Sequence, residues 1–268
     1  MRAIGIIAVN VFRESVRDKV LYNLVLFAVL LMAASYLLGQ LTAGQDVRII
    51  KDLGLAATAI FGLFIAVFIG IGLVSKEVER RSVYGVLSKP IRRHEFIIGK
   101  YLGLVLTLAV NIAVMAAALY FVLAYMNWME TENVRRSWDA PALDPALLKA
   151  IFLIWVELCL ITAVALCFST FSTPIVSAVL TFGLYIVGHF NADLKNFENV
   201  VESPGVVYFA RGLYYVLPNL APFDVKAEVV HAQPIGAAYL ALTTAYGLVY
   251  IVMLLLVSMF VFSRRDFK

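Results

Sequence analysis

The sequence predicts an all-α protein that crosses a membrane several times, and three observations carry this prediction. Hydrophobic residues make up 62% of the 268 positions and charged residues 15%, with a mean hydropathy of +0.90. A soluble domain has roughly 45–50% apolar and about 25% charged residues. The apolar residues form long runs without alternation, as in membrane helices rather than barrel strands. The Lys and Arg residues sit at the edges of these runs, where a membrane surface would lie.

Six runs approach the ~20 apolar residues that a helix needs to cross the hydrocarbon layer. They cover residues 20–40, 53–75, 101–126, 150–171, 174–190 and 235–263, and the fifth is short. Before the first run, residues 4–19 predict an amphipathic helix in the membrane interface, with Val9, Phe12, Val16 and Val20 on its apolar face. We therefore expect one membrane domain, residues 1–268. Residues 76–100 form the loop on one side, and segments 127–149 and 191–234 lie on the other.

The distribution of positive charge predicts the orientation. Six spans place both termini on the side of the 76–100 loop. That side then holds 14 of the 22 Lys and Arg residues, and the opposite side holds the remaining 8. Because cytoplasmic loops carry the excess of Lys and Arg, both termini and the 76–100 loop are predicted to be cytoplasmic.

Motifs for independent chemistry are missing from the sequence. Gly99-Lys100 is followed by Tyr101, so no phosphate-binding G-x-x-x-x-G-K-[ST] loop is present. The three His residues are scattered and form no H-E-x-x-H motif, and the two Cys lie in one apolar run. The net charge of +4 does not indicate nucleic-acid binding, because the basic residues follow the membrane edges. We expect no catalytic residue, no metal site and no cofactor on this chain.

Glu157 is the exceptional residue of the spans, because a carboxyl group inside a membrane is costly unless it is paired, protonated or in a watery cavity. It is expected seven residues, or ~10 Å, below the outer end of the fourth span. Two interpretations remain open: a group that contacts substrate or a proton, or a group that ties helices together. Asn111 is a second candidate on the substrate path, although an interhelical hydrogen bond is its default. His189 is expected at the outer interface.

Small residues recur every four positions on two spans, which places each row on one helical face. The rows are Gly54, Thr58, Gly62, Ala66 and Gly70 on the second span, and Gly99, Gly103, Thr107, Asn111 and Ala109, Ala113, Ala117 on the third. Small side chains let helices approach closely in lipid. We favour packing within one bundle over contact between subunits.

The loop at 76–100 predicts two helical pieces that are interrupted at Ser88-Lys89-Pro90, the second continuing through Gly99-Lys100 into the third span. Residues 79–103 resemble the cytoplasmic loop of ABC-2-type transporter permeases, the six-span membrane subunits of bacterial ABC exporters. The family pattern falls on Glu79, Arg80, Arg81, Leu87, Ser88, Pro90, Arg93, Phe96, Gly99 and Lys100. Gly often stands in the family where this chain has Ser82. The resemblance extends over essentially the whole chain.

This resemblance implies a permease of the prokaryotic inner membrane, without catalysis of its own. Two copies of an ABC ATP-binding subunit, which hold ATP and Mg, would dock on its cytoplasmic face, and a second permease copy would complete the path. The residues of the family pattern, together with Thr173 in the turn between the fourth and fifth spans, would form the docking and coupling surface. The apolar spans favour a lipophilic cargo.

Two other functions remain open at this stage. A secondary carrier or channel would use Glu157 as an ion-linked group, and it would not need a patterned loop. A membrane scaffold would recruit a soluble complex through the same loop without transport. Co-purification of an ATPase separates a permease from a carrier, and loss of export in Glu157→Gln separates both from a scaffold.

Overall fold

The structure is a computed structural model that describes residues 2–40, 46–79, 93–138, 141–191, 205, 208, 211–212, 214 and 216–264. Every extended regular element among these residues is helical, which confirms the predicted all-α fold. The α-helices are α1 (Arg2–Val16), α2 (Lys19–Gln40), α3 (Asp46–Glu79), α4 (Arg93–Met129), α5 (Glu132–Ser137), α6 (Ala146–Ser169), α7 (Pro174–His189), α8 (Lys226–Val230) and α9 (Ala237–Arg264). A short 3-10 turn at Ala221–Phe223 precedes α8.

Six of these helices match the six predicted spans. Five of them, α2, α3, α4, α6 and α9, are long and apolar enough to cross a membrane. The sixth, α7, has 16 residues and is the short span that the sequence predicts. At 1.5 Å per residue α7 is ~24 Å long, which is less than the ~30 Å of the hydrocarbon layer. Helix α7 alone is therefore too short to cross that layer at its average thickness.

Two helices extend well beyond their predicted spans. Helix α3 covers 46–79 rather than 53–75, and α4 covers 93–129 rather than 101–126. Hydropathy marks only the lipid-embedded part of a helix, whereas backbone hydrogen bonds continue through polar residues at its ends. We call the side of the bundle at the connection between α3 and α4 the loop side, and the opposite side the distal side.

Helices α6 and α3 form the centre of the bundle. In the most apolar stretch of each, 83% of the α6 residues and 72% of the α3 residues are buried. The corresponding share is 22% for both α2 and α9. Large apolar side chains such as Phe27 and Leu242 remain exposed on these two outer helices, as expected for a surface that meets lipid or another membrane subunit.

The small-residue row of α3 is packed inside the bundle, as predicted. A Cβ atom added at Gly70 would lie 2.8 Å from the Cβ of Ala165 on α6, and one at Gly62 would overlap Leu158 on the same helix. The α4 row of Ala109, Ala113 and Ala117 does not follow this rule. Ala113 and Ala117 are exposed, so the prediction of packing within the bundle was wrong for that row.

The N-terminal helix α1 packs against the start of α4. A Cβ atom at Gly99 would lie 2.8 Å from the Cβ of Ile7, and one at Gly103 would lie 2.6 Å from the backbone oxygen of Ala8. The amphipathic helix is confirmed: Val11 is buried against the bundle, whereas Val9 of the predicted apolar face is exposed, where a helix in the interface would meet lipid. Helices α1 and α4 come closest at Gly99 and Gly103. The α1 residues at these contacts, Ile7, Ala8 and Val11, lie on the opposite side of α1 from Val9.

Candidate functional site

Several of the predicted coupling residues lie outside the described residues. These are Arg80, Arg81, Leu87, Ser88 and Pro90. Glu79 is the last residue of α3 and Arg93 is the first residue of α4. Helix α4 then runs without interruption to Met129, which confirms that the second piece of the loop continues into the third span.

Phe96, Gly99 and Lys100 lie on the first turns of α4 and connect it to two other helices. The Phe96 ring stacks on Phe262 of α9, with centroids 5.8 Å apart and an interplanar angle of 20°. The Lys100 Nζ lies 4.5 Å from the Phe96 centroid, a cation–π distance, and the Lys100 side chain is buried. Because Gly99 also contacts α1, the start of α4 is packed between α1 and α9.

The turn that contains Thr173 forms a second exposed feature on the loop side. Thr173 has extended backbone angles and precedes Pro174, the first residue of α7. The turn is held by Ser172, whose Oγ donates to the Phe168 oxygen at 2.9 Å and lies 2.6 Å from the Oγ of Ser177. These bonds fix the turn between α6 and α7, and Thr173 is exposed on it.

Glu157 lies in the middle of α6, 3% exposed. Helix α6 begins at Ala146 rather than at residue 150, so Glu157 lies 11 residues, or ~16 Å, from the distal end of its helix. The helix begins before the apolar run that defines the predicted span. The expected depth of ~10 Å below the outer end of that span therefore stays a prediction.

The short helix α7 ends beside this carboxyl group. The Nε2 of His189, its last residue, lies 3.2 Å from the Oε1 of Glu157. The contact does not meet the geometry of a hydrogen bond. The Nδ1 of His189 lies 3.0 Å from the Tyr185 oxygen, and a carbonyl oxygen can only accept, so Nδ1 carries a proton. If the ring is neutral, its other nitrogen, Nε2, carries a lone pair that faces the carboxylate oxygen, and two electron-rich atoms repel each other. The contact is attractive only when Nε2 or the Glu157 carboxyl group carries one further proton.

A segment of the distal side covers the end of α7. The Leu220 N–H donates to the Gly188 oxygen at 2.9 Å, which satisfies one of the last carbonyls of α7. A Cβ at Gly188 would lie 2.8 Å from the Leu220 side chain and 3.1 Å from the Pro218 oxygen. Phe223 is fully buried and lies near Gly247 of α9 and Val156 of α6. We call residues 216–231 the distal cap.

The distal cap also contributes charged and polar groups. Asp224 and Lys226 form an ion pair of 3.3 Å, and both lie within electrostatic range of Glu157. Asn191, directly after α7, donates from Nδ2 to the Leu217 oxygen at 3.3 Å, while its buried Oδ1 has no hydrogen-bond partner among the described residues. Glu157, His189, Asn191, Asp224 and Lys226 form the polar cluster. It can hold a proton, and it can exchange polar contacts with a cargo that passes the end of α7.

The structure thus joins residues that the sequence treated separately. Glu157 and His189 were named singly, and His189 was expected at the interface rather than against a carboxyl group in the bundle. Asn191, Asp224 and Lys226 were missed, although an α7 too short to span was a signal that the distal segment would fold back. The Nδ2 of Asn111 donates to the Thr107 oxygen at 2.7 Å within α4, so the hydrogen bond expected between helices lies within one helix.

Among the described residues, no group of three or more His, Cys, Asp or Glu side chains has an arrangement that could hold a metal ion. Cys159 and Cys167 are free and buried in α6, as expected of packing residues.

Two comparisons with known proteins bear on identity. No curated protein matches the chain. A family model described as ABC-2 family transporter protein matches residues 6–267, nearly the whole chain. The match spans α1, the six membrane helices and the distal cap. The chain therefore belongs to the ABC-2 family of transporter proteins.

Proposed function

We propose that this chain is the membrane subunit of an ATP-driven exporter, coupled to separate ATP-binding subunits through its loop side. Family membership makes the chain a permease subunit of an ABC transporter and a multi-pass membrane protein. Permeases of this family are non-catalytic and generally partner with ABC ATP-binding subunits. The observation that carries the proposal is the family match over residues 6–267.

The coupling residues support a mechanical role for α4. A partner that docks on residues 79–93 contacts the first turn of a helix that continues for 37 residues to the distal side. An α-helix transmits a push along its axis because each turn is hydrogen-bonded to the next. The contacts of Gly99 and Gly103 with α1, and of Phe96 with α9, make these helices follow the movement. In this mechanism Thr173 provides the second docking point.

A partner can drive the permease only if it binds one of its conformations better than another. In this proposal two ATP-binding subunits, which hold ATP and Mg, close in the presence of nucleotide and select one position of α4. Hydrolysis releases that position. The chain itself supplies helices and contacts, and the nucleotide chemistry belongs to the partner.

The polar cluster is proposed as the distal gate of the transport path. It lies where α7 ends inside the bundle, under a cap that is held to Gly188 by one backbone hydrogen bond. Movement of α6 or α7 changes the distance between Glu157 and His189. It also changes the electrostatic interaction of Asp224 and Lys226 with Glu157. In this proposal Glu157 lies on the substrate path, and Asn111, half-buried on α4, is a second polar group along it.

A second permease copy completes the path in this proposal. The exposed α4 face with Ala113 and Ala117, together with α2 and α9, offers apolar surface that the described residues leave uncovered. In this proposal the loop side faces the cytoplasm, as the distribution of positive charge predicts, and the membrane is the inner membrane of a prokaryote, as the family resemblance implies.

The test is purification of the tagged protein in mild detergent, followed by an ATPase assay of the eluate. Export by an ABC mechanism predicts a stoichiometric nucleotide-binding subunit with ATPase activity. A protein that elutes alone after crosslinking, and that carries out proton-driven flux sensitive to Glu157→Gln, would instead be a secondary carrier. Co-purification with no ATP-dependent flux would support a scaffold.

A further inference from the structure

Three basic residues lie on the exposed side of α1 and of the turn that joins it to α2. Arg13 lies in the last turn of α1, Arg17 directly follows the helix, and Lys19 is the first residue of α2. All three side chains are exposed, and the ion pairs among the described residues are formed by other side chains. Because α2 is long and apolar enough to cross a membrane, its first residues lie where lipid headgroups meet the hydrocarbon layer.

The acidic residues of the same stretch are turned toward α3. Glu14 and Asp18 line a cavity together with Phe68 and Gly72 of α3, and none of the three basic residues belongs to its wall. One oxygen of Asp18 also caps α2 by accepting from the Val20 N–H at 3.0 Å. Basic and acidic residues alternate in the sequence here, but the fold separates them. Positive charge therefore collects on the side of α1 that is turned away from α3.

Large apolar side chains are exposed beside these charges. Ile6 is 64% exposed, Val9 45% and Tyr22 60%. Ile6, Val9 and Arg13 recur at helical spacing, so they share one face of α1. A bilayer surface takes up the apolar side chains of such a face, while long basic side chains reach the level of the phosphates.

The same exposed surface continues along α2, which identifies the bilayer as its cover. Phe27 and Leu30, one and two turns further into the membrane helix, are more than half exposed. A soluble partner could cover the basic residues but not the apolar surface that extends from them across the membrane. Basic residues immediately beside a membrane helix are attracted to lipids with anionic headgroups.

We propose that α1 and the turn to α2 form a binding site for phospholipids whose headgroups carry a net negative charge. Arg13, Arg17 and Lys19 bind the headgroup phosphates, and Ile6 and Val9 insert between the acyl chains. Arg13 and Arg17 are four residues apart, and the negative charge of a phosphate offsets the repulsion between them. The site needs a bilayer and no ATP-binding subunit, so it does not depend on the proposed function.

The experiment measures lipid binding to the purified full-length protein by native mass spectrometry after removal of endogenous lipid. The probes are phosphatidylglycerol and phosphatidylcholine with the same acyl chains. Phosphatidylglycerol is expected to bind more tightly, and each of the three basic residues should account for about a fivefold difference in affinity. The difference should shrink as salt is added, because exposed charges are screened. Equal affinity for the two lipids would overturn the proposal.

Variants locate the preference on the molecule. Arg13→Gln/Arg17→Gln/Lys19→Gln is expected to bind both lipids alike. The matched control Arg135→Gln/Arg136→Gln removes two exposed Arg residues on the distal side and should keep the preference. Arg13→Lys/Arg17→Lys preserves the charge and should also keep it, which separates a loss of binding from damage to the fold. An unchanged preference in the triple variant would overturn the proposal. If that variant instead lost a co-purifying ATP-binding subunit, the surface would be a docking site for protein.

Discussion

His189 closes α7 against Glu157 of α6, with Nε2 and Oε1 3.2 Å apart. The two residues are 32 positions apart in sequence, and their contact joins the end of the short helix to the middle of the central one. Because Glu157 is almost fully buried, its carboxyl group depends on a polar partner inside the bundle, and His189 provides one.

Removal of both members of this pair should cost less than the sum of the two single removals. We expect His189→Ala to lower the free energy of unfolding by about 1–3 kcal/mol, since it leaves a buried carboxyl group without its partner. In Glu157→Gln/His189→Ala the loss should be smaller than the sum of the two single losses. Unfolding of the four proteins in detergent measures the coupling. Strictly additive losses would show that the contact carries no energy.

The distal cap should detach when the space at Gly188 is filled. In Gly188→Val the new side chain collides with Leu220 and with the Pro218 backbone, so residues 216–231 should exchange amide hydrogens faster. Leu220→Ala in the same chain should restore part of the protection. Gly183→Val is the matched control, because a Cβ there meets nothing. Equal exchange in both variants would argue against the cap.

The contact between α1 and α4 should depend on Gly103. A Cβ at this position meets the Ala8 oxygen and Val11, and a backbone atom cannot give way as a flexible side chain does. Gly103→Val should therefore destabilise the protein by roughly 1–3 kcal/mol, the usual cost of overpacking. Gly5→Val on α1 has open space around it and serves as the control for thermal unfolding. A stable Gly103→Val protein would contradict this packing.

Coupling should fail when the entry to α4 is altered. Pro90→Ala with Arg93→Glu should leave membrane insertion intact while it separates ATP hydrolysis by the partner from transport, because the docking surface and the start of α4 both change. The measurement is the ATPase rate of the reconstituted complex, with and without cargo. Unchanged stimulation by cargo in this variant would contradict the role of residues 79–93.

The sequence predicts the helices of this protein better than their contacts. Long apolar runs define six spans because lipid requires every backbone group to be bonded within a helix. The uninterrupted α4 and the buried row of Gly62 and Gly70 follow from the same local rules. Helix ends were less predictable, since the polar ends of α3 and α4 carry no hydropathy signal.

The sequence predicts single residues of the candidate site but not the contacts between them. Glu157 is conspicuous because it breaks an apolar run, but its partner His189 is far away in sequence and reaches it only because α7 is short. Asn111 could satisfy itself within α4, and a sequence does not distinguish such a local bond from an interhelical one. Asp224 and Lys226 resemble ordinary surface residues until the cap folds onto α6.

The most direct test of the central claim is site-directed crosslinking from the two ends of α7. Thr173→Cys lies on the loop side and Phe190→Cys directly after the distal end, and both positions are exposed, whereas the native cysteines are buried. In native membranes, a permease that docks an ATPase through its loop side predicts crosslinks to a nucleotide-binding subunit from Thr173→Cys and none from Phe190→Cys. Crosslinks from Phe190→Cys alone, or from neither position in a membrane that contains the ATPase, would contradict the account.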